Sequence, residues 1–555
     1  YAFGNALVCD TKVIDAKGTT LAEKVCFELK TRTVTADGDL FDPSGTLSGG
    51  AGADSLIGPD TATTFNVTGV DAGNVTGGST IPDFQSFENL TGGADNDTFN
   101  VDANLSGNID GGAGTEDTLN LAAGVTIGGN VTNVENVNLV VNGTTGTTAG
   151  ADTIVIRNTG GILEAVVNGS VSQFFTPAGA SNISLTVAGL GGVDTLTVDY
   201  SVGTLPSEIT FVDTQPTTVD GQAEQVRLVG DGIGGNQLVS FDPVLDADGL
   251  RVVTLRNGAG TLLNTLRVEP AALYELEAFS SASVVSAGTA DVVTVSRLAT
   301  SAISSQVALQ IQETTGAGNF EELQLIDVAS VTVDLGTNDA AFTGSADSVT
   351  VNDGALRSYA GLTGVNISTG GGVDTLVLNE SSYLNTADAD VLTIDLGDGV
   401  DEVQATAAGD LSLSNTGLSL DDGVATGNVT LTNFTTAGRG EDATLTGTGG
   451  DESFDVSGHN GAVSVAGQGG TDTLSGQDAA DVTWTFADAA TGVAVDASNP
   501  AGTVTFDLIA EFIGGTGNDT FVLGAGVVTP IVSLDGGTGV YTLDITGVGG
   551  GQSVT

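Results

Sequence analysis

The sequence predicts an all-β chain, with elongated β-solenoid (parallel β-helix-like) segments around a β-sandwich-like or wider-coil middle region. Three observations predict it. First, a Gly-rich turn ending in Asp recurs, followed each time by an alternating apolar run, as in GGAGADSLI (Gly49 to Ile57) and GGTGNDTFVL (Gly514 to Leu523). Gly supplies positive φ for a tight turn, Asp closes it through its side chain, and Thr, Val, Leu and Phe suit a pleated strand. Second, the clearest turns lie about 20 to 22 residues apart, from Asp97 to Asp117 and from Asp451 to Asp472, which is one coil of a β-solenoid. Third, only 19 of the 69 acids are Glu. Asp is a poor helix former and a good turn former.

Residues 1–32 read as a separate cap or connector. YAFGNALVC and VCFELKTRTVT alternate as two strands around the polar turn DAKGTT. All four lysines (Lys12, Lys17, Lys24 and Lys30) lie here, giving the segment a net charge of +1. Cys9 and Cys26 are the only cysteines. In an exported chain they close a disulfide worth about 3 kcal/mol in the chain-entropy model. A reduced buried pair and a redox site are the alternatives, and the spacing is not that of C-x-x-C chemistry.

Residues 33–145 form a first Gly-Asp repeat solenoid, with TGGADNDTFNV (Thr91 to Val101) and DGGAGTEDTLNL (Asp110 to Leu121). Residues 146–345 have fewer such turns and six of the eight arginines that follow Arg32, so this stretch is assigned a different β build. A second signature, A-D-x-[VI], opens strands at Asp152, Asp291 and Asp347. PAALYELEAFSS (Pro270 to Ser281) is the one helix candidate, from its leading Pro and helical spacing. Residues 346–555 return to the repeat, with TGGGVDTLVL (Thr369 to Leu378), GTGGDESFDV (Gly447 to Val456) and DGGTGVYTLDI (Asp535 to Ile545).

Composition excludes several functions. The chain has 555 residues, 40% of them hydrophobic, so it can bury a large core. Its net charge of −56 argues against nucleic acid and anionic membranes, because phosphate contacts need Lys and Arg. No apolar run is long enough to span a bilayer as a helix. The absence of Met reads as a processed, exported chain. An acidic body of this kind needs screening by salt or by bound divalent cations.

At the Gly-Asp turns the sequence resembles RTX-type calcium-binding repeats, whose motif is G-G-x-G-x-D. Gly49 to Asp54 and Gly514 to Asp519 match in full. Gly92 to Asp97 replaces the third Gly with Asp95, and Tyr541 stands where an Asp is expected. The turns are not in nine-residue tandem order. The wider arrangement from Phe87 to Leu121 resembles repeat regions of large secreted bacterial surface proteins, adhesin, haemagglutinin-like or matrix. The resemblance covers about half the chain, in 33–145 and 365–555. It implies an extracellular location and Ca²⁺ held by Asp54, Asp95, Asp97, Asp117, Asp194, Asp374, Asp401, Asp451, Asp472 and Asp519.

Catalytic parts are scarce. The one histidine, His459, lies in the turn string SGHNG and reads as a solvated residue. With one His and two paired Cys, nucleophile–base triads and zinc clusters lack components. Arg357 and Arg439 are the candidates for a β-helix polysaccharide-acting enzyme, and nothing beside them supports that role. Trp484, in VTWTF, reads as a strand residue packed on a sheet. The chain is therefore expected to be a non-enzymatic, self-assembling subunit of an extracellular fibre, sheath or surface matrix, stiffened by Ca²⁺. Subunits would join head to tail, with Tyr1, Phe3, Leu7 and Val8 adding a strand to the adjacent copy. The alternative is a monomeric, calcium-dependent adhesin that binds a surface polysaccharide or a host surface.

Overall fold

The alternating runs form strands. The computed structural model describes residues 7–14, 20–28, 46–77, 81–143, 151–160, 162–174, 182–189, 193–212, 224–232, 237–242, 244–269, 273–286, 290–315, 322–336, 346–352, 362–379, 392–406, 409–421, 426–434, 442–477, 481–487, 491–496, 499–525 and 531–548. Among them are 50 strands and no helix. The helix candidate at Pro270 to Ser281 is corrected by the strand Leu273–Glu277. Its Leu, Tyr and Leu are buried with Glu275, so neighbouring coils override the local helical spacing.

The chain divides into two units, Tyr1–Val229 with Val252–Ala271, and Gly230–Arg251 with Ala272–Thr555. In the first, a parallel ladder runs through Thr63–Gly69, Thr98–Val101, Thr118–Ala122, Asn136–Asn142, Asn182–Ala188, Glu208–Val212 and Leu262–Val268. Its register stacks one apolar file, Val67, Val101, Leu121, Leu139, Leu185, Ile209 and Leu266, at most 1% exposed. Each such side chain contributes about 1.5–3 kcal/mol by burial. On the opposite side of the same strands, Asn100, Asn120 and Asn138 each donate a side-chain N–H to the Asn one coil earlier, at 2.7, 2.7 and 3.3 Å.

The second unit repeats the design. A parallel ladder joins Val292–Leu298, Ser348–Val351, Thr375–Asn379, Glu402–Thr406, Asp442–Thr446, Ala462–Ala466 and Asn499–Asp507. Val293, Val349, Leu376, Val403, Ala443, Val463 and Val504 form its buried file. In both units the ladders run across the expected boundaries at 145 and 345, so the middle region is built of wider coils.

Extra coil length has one recurring use. Three-strand antiparallel meanders interrupt the parallel ladders, as at Thr63–Gly69, Ala72–Gly77 and Ile81–Gln85 in the first unit and at Val482–Phe486, Thr491–Asp496 and Asn499–Asp507 in the second. The first strand pairs with the following coil and the third with the preceding one. Each meander thus lengthens a coil without breaking the stack, which accounts for the irregular spacing of the turns.

Candidate functional site

The Gly-Asp turns place acids at the corners of the coils. Eight of the ten expected acids (Asp54, Asp97, Asp117, Asp194, Asp374, Asp401, Asp472 and Asp519) are at most 1% exposed. The carboxylates of Asp97, Asp117, Asp194, Asp374, Asp401, Asp472 and Asp519 accept backbone N–H groups from the coil before. In the first unit Thr63 N–H donates to Asp97 (2.8 Å), Asp97 N–H to Asp117 (2.7 Å), and Asp117 N–H to Glu135 (2.9 Å). Asp152 N–H donates to Asp194, and Asp194 N–H to Glu224, both at 2.7 Å. In the second unit Asp291, Asp347 and Asp374 donate in turn to Asp347, Asp374 and Asp401, at 2.8, 2.9 and 3.0 Å. A corner N–H lies outside the strand ladder and needs another acceptor. The stacked acid supplies it, and its own carbonyl accepts from the next coil, as Asp97 O does from Thr118 N–H at 2.8 Å.

The two leading glycines have separate jobs. A Cβ on the first would overlap the acid: 2.7 Å from Asp117 Oδ2 at Gly111, and 2.7 Å from Glu452 Oε2 at Gly447. The second takes positive φ, 94° at Gly50, 99° at Gly112 and 103° at Gly515.

Two expected acids lie elsewhere. Asp95 and Asp451 are exposed. In GTGGDES the buried acid is Glu452, whose N–H donates to Asp472 at 2.9 Å, while Asp451 accepts Thr471 N–H at 2.7 Å. Sequence reasoning missed Glu452, Glu88, Glu135 and Glu224 as column members. Glu88 accepts Asp54 N–H at 2.7 Å. The signal for Glu88, Glu135 and Glu224 is the string acid–amide–apolar, Glu88-Asn89-Leu90, Glu135-Asn136-Val137 and Glu224-Gln225-Val226, at corners without a Gly-Gly turn. Asp152, Asp291 and Asp347, strand openers by sequence, also donate their N–H groups into these columns.

Burial pushes the carboxyls of Asp97 and Asp117 above the usual range. It pushes Asp472 up to about 6, opposed by the Glu452 N–H and reinforced by the Glu452 carboxyl. The calcium expectation can be set against this geometry. Ca²⁺ takes six to eight oxygens. Here one oxygen of each stacked acid is engaged by a backbone N–H, and among the described residues no three of His, Cys, Asp and Glu are grouped to hold a metal. Each stacked acid thus commits one oxygen to the backbone of a neighbouring coil.

The remaining expected residues are placed as follows. The hairpin Leu7–Ile14 with Thr20–Glu28 sets Cys9 directly opposite Cys26. Leu7 and Val8 pair with Ile57 and Leu56 of the same chain, so their strand already has two neighbours. Tyr1, Phe3, Arg357 and Arg439 lie outside the described residues. His459 is fully buried, not solvated; it stacks on Phe434 at 5.1 Å, and burial lowers its pKa to about 4. Trp484 is a buried strand residue among Phe506, Phe512 and Phe521.

No family model matches the chain. It is similar over 51 residues, at 53% identity, to structural maintenance of chromosomes protein 2 of Xenopus laevis, and over 53 residues, at 49%, to the protein of that name from Schizosaccharomyces pombe. Each match spans 9% of this chain and 4% of the relative, so it reaches no further than one short segment.

Proposed function

We propose that the chain is a non-catalytic structural subunit of an extracellular fibre, sheath or surface matrix that self-assembles head to tail. The stacked-acid columns carry this reading. Each coil is fastened to its neighbours through backbone, corner acids and apolar files, an arrangement that resists separation along the stack and leaves the outer face free. Calcium on this reading acts at exposed acids such as Asp95 and Asp451, and as a counterion to the net charge of −56.

Electron microscopy of the purified protein in millimolar Ca²⁺, before and after chelation, tests it. Fibres are expected in Ca²⁺, loosening on chelation and recovering in high NaCl, because screening replaces the ion. Single particles under every condition overturn the reading and favour a monomeric adhesin.

A further inference from the structure

The parallel ladder of the first unit has an outer face as regular as its core. Strands Thr63–Gly69, Thr98–Val101, Thr118–Ala122, Asn136–Asn142 and Asn182–Ala188 turn alternate residues outward, and register stacks these in two files. One runs Thr64, Thr98, Thr118, Asn136 and Asn182; the other runs Asn66, Asn100, Asn120, Asn138 and Ser184. None of them is buried. Paired strands lie about 4.8 Å apart and alternate residues of one strand about 6.6 Å apart, so the files form a grid of amides and hydroxyls.

The second file is polarised. Asn66 donates to Asn74 at 2.8 Å, the ladder of Asn100, Asn120 and Asn138 continues it, and the Ser184 and Thr186 hydroxyls donate to Asn138 Oδ1 at 3.3 and 3.1 Å. Asn100 and Asn120 each use one amide N–H and one carbonyl lone pair along the stack, and keep a second of each for a ligand.

Charge sets this face apart. The chain carries −56, yet all ten positions are neutral. Acids flank the grid: Glu208 pairs with Ser184 one coil on, and Asp83 is exposed in the third strand of the meander that begins at Thr63. In the second unit one outward file reads Ser348, Thr375, Glu402, Asp442 and Ala462. That ladder stacks without amides in this file, so coil stacking alone does not call for them.

We propose that the grid is a binding face for a neutral polysaccharide laid against successive coils. Sugar hydroxyls both donate and accept, which matches amides that keep one donor and one acceptor each. No aromatic ring stands in the two files for a single sugar to stack on, so affinity accumulates over many weak contacts, and a polymer with a repeat supplies them. The surrounding carboxylates repel acidic polysaccharides. The assignment is independent of self-assembly, since a single subunit carries the whole face.

The test is co-sedimentation of the full chain with insoluble cellulose, chitin and starch, and with carboxymethyl cellulose resin as the acidic counterpart. Binding is expected to at least one neutral polymer and not to the acidic one. Thr64→Glu with Thr118→Glu places two charges on the grid, leaves the Asn ladder intact, and should weaken binding about tenfold or more with an unchanged thermal melt. Thr64→Ser with Thr118→Ser keeps both hydroxyls and should bind as wild type does. Thr350→Glu with Ser464→Glu adds the same charge to outward positions of the second unit and should also bind as wild type does. As a second measurement, a soluble fragment of the bound polymer should shift the side-chain amide NMR signals of Asn100 and Asn120 in the wild-type chain. No binding to any of the three neutral polymers, equal retention on the acidic resin, equal losses from the two Glu pairs, or unmoved amide signals would each overturn the proposal.

Discussion

Two turns of nearly the same sequence end differently. DGGAGTEDTLNL, from Asp110 to Leu121, lies within a stack of the first unit; DGGTGVYTLDI, from Asp535 to Ile545, forms the last described coil of the second. Both second glycines take positive φ, 99° at Gly112 and 69° at Gly537. Asp117 is fully buried and holds the Asp97 N–H, whereas Tyr541, in the equivalent place, is 60% exposed. The glycine pair therefore makes the turn from local sequence, and the acid makes the stack by acting across coils. Breaking the two parts separately is the way to sharpen the contrast.

The largest effect is expected at the glycine beneath an acid. In Gly111→Ala the new Cβ meets Asn133 O and lies 2.7 Å from Asp117 Oδ2, so the turn and the column both have to move. A loss of about 3 kcal/mol or more is expected in urea unfolding. Gly449→Ala is the control, because nothing lies within 4 Å of its Cβ and the change should stay within about 0.5 kcal/mol. Equal losses at both sites would mean that the acid does not need the glycine.

Next comes the acid itself. Asp374→Ala removes the acceptor of the buried Asp347 N–H and should cost about 1–3 kcal/mol. Asp374→Asn keeps an oxygen there and should cost less. Tyr541→Ala, at an exposed side chain of the last described coil, should change stability by less than about 0.5 kcal/mol. A costly Tyr541→Ala with a silent Asp374→Ala would reverse the assignment of stacking to the acids.

The strands and the coil period were legible because alternation and the Gly-Asp turn are local patterns. Asp97 and Asp117 are 20 residues apart in sequence and one coil apart in space. The meanders were not legible, since Thr63–Gly69 and Thr98–Val101 read alike whether the intervening chain turns back or not. Acids such as Asp97, Asp117, Asp374 and Asp472 were legible as turn residues, but their partners were not. A carboxylate in a Gly-rich turn looks the same whether it faces an ion or the N–H of another coil. His459 misled for a related reason: its string is that of a turn, and the Phe434 that covers it is a neighbour only in the folded coil.

Acid pH separates two buried groups of opposite sign. Asp472 has a folded pKa raised to about 6, so its stabilisation is complete below the usual carboxylate value and is lost as pH rises through about 6. His459 is lowered from 6.5 to about 4, so its contribution is complete above 6.5 and is lost as pH falls through about 4. Between these values the two oppose each other. Asp472→Asn should make the chain less stable at pH 5 relative to pH 8, and His459→Phe should make it more stable at pH 5 relative to pH 8. Chemical denaturation at the two pH values reads both, and shifts in the same direction would sink the assignment.

The smallest effect is the most selective. Asp451 and Glu452 are adjacent, and the sequence favours Asp451 as the turn acid, yet only Glu452 is buried. Asp451→Asn keeps an oxygen for the Thr471 N–H and should change stability by less than about 0.5 kcal/mol. Glu452→Gln keeps the acceptor for Thr448 and removes the carboxyl that helps raise Asp472. The Asp472 midpoint, followed by carboxyl NMR, should therefore fall further in Glu452→Gln than in Asp451→Asn. The reverse order would put Asp451 in the column. The expected order would show that side-chain reach across a coil, rather than the match to a Gly-Asp string, decides which acid is stacked.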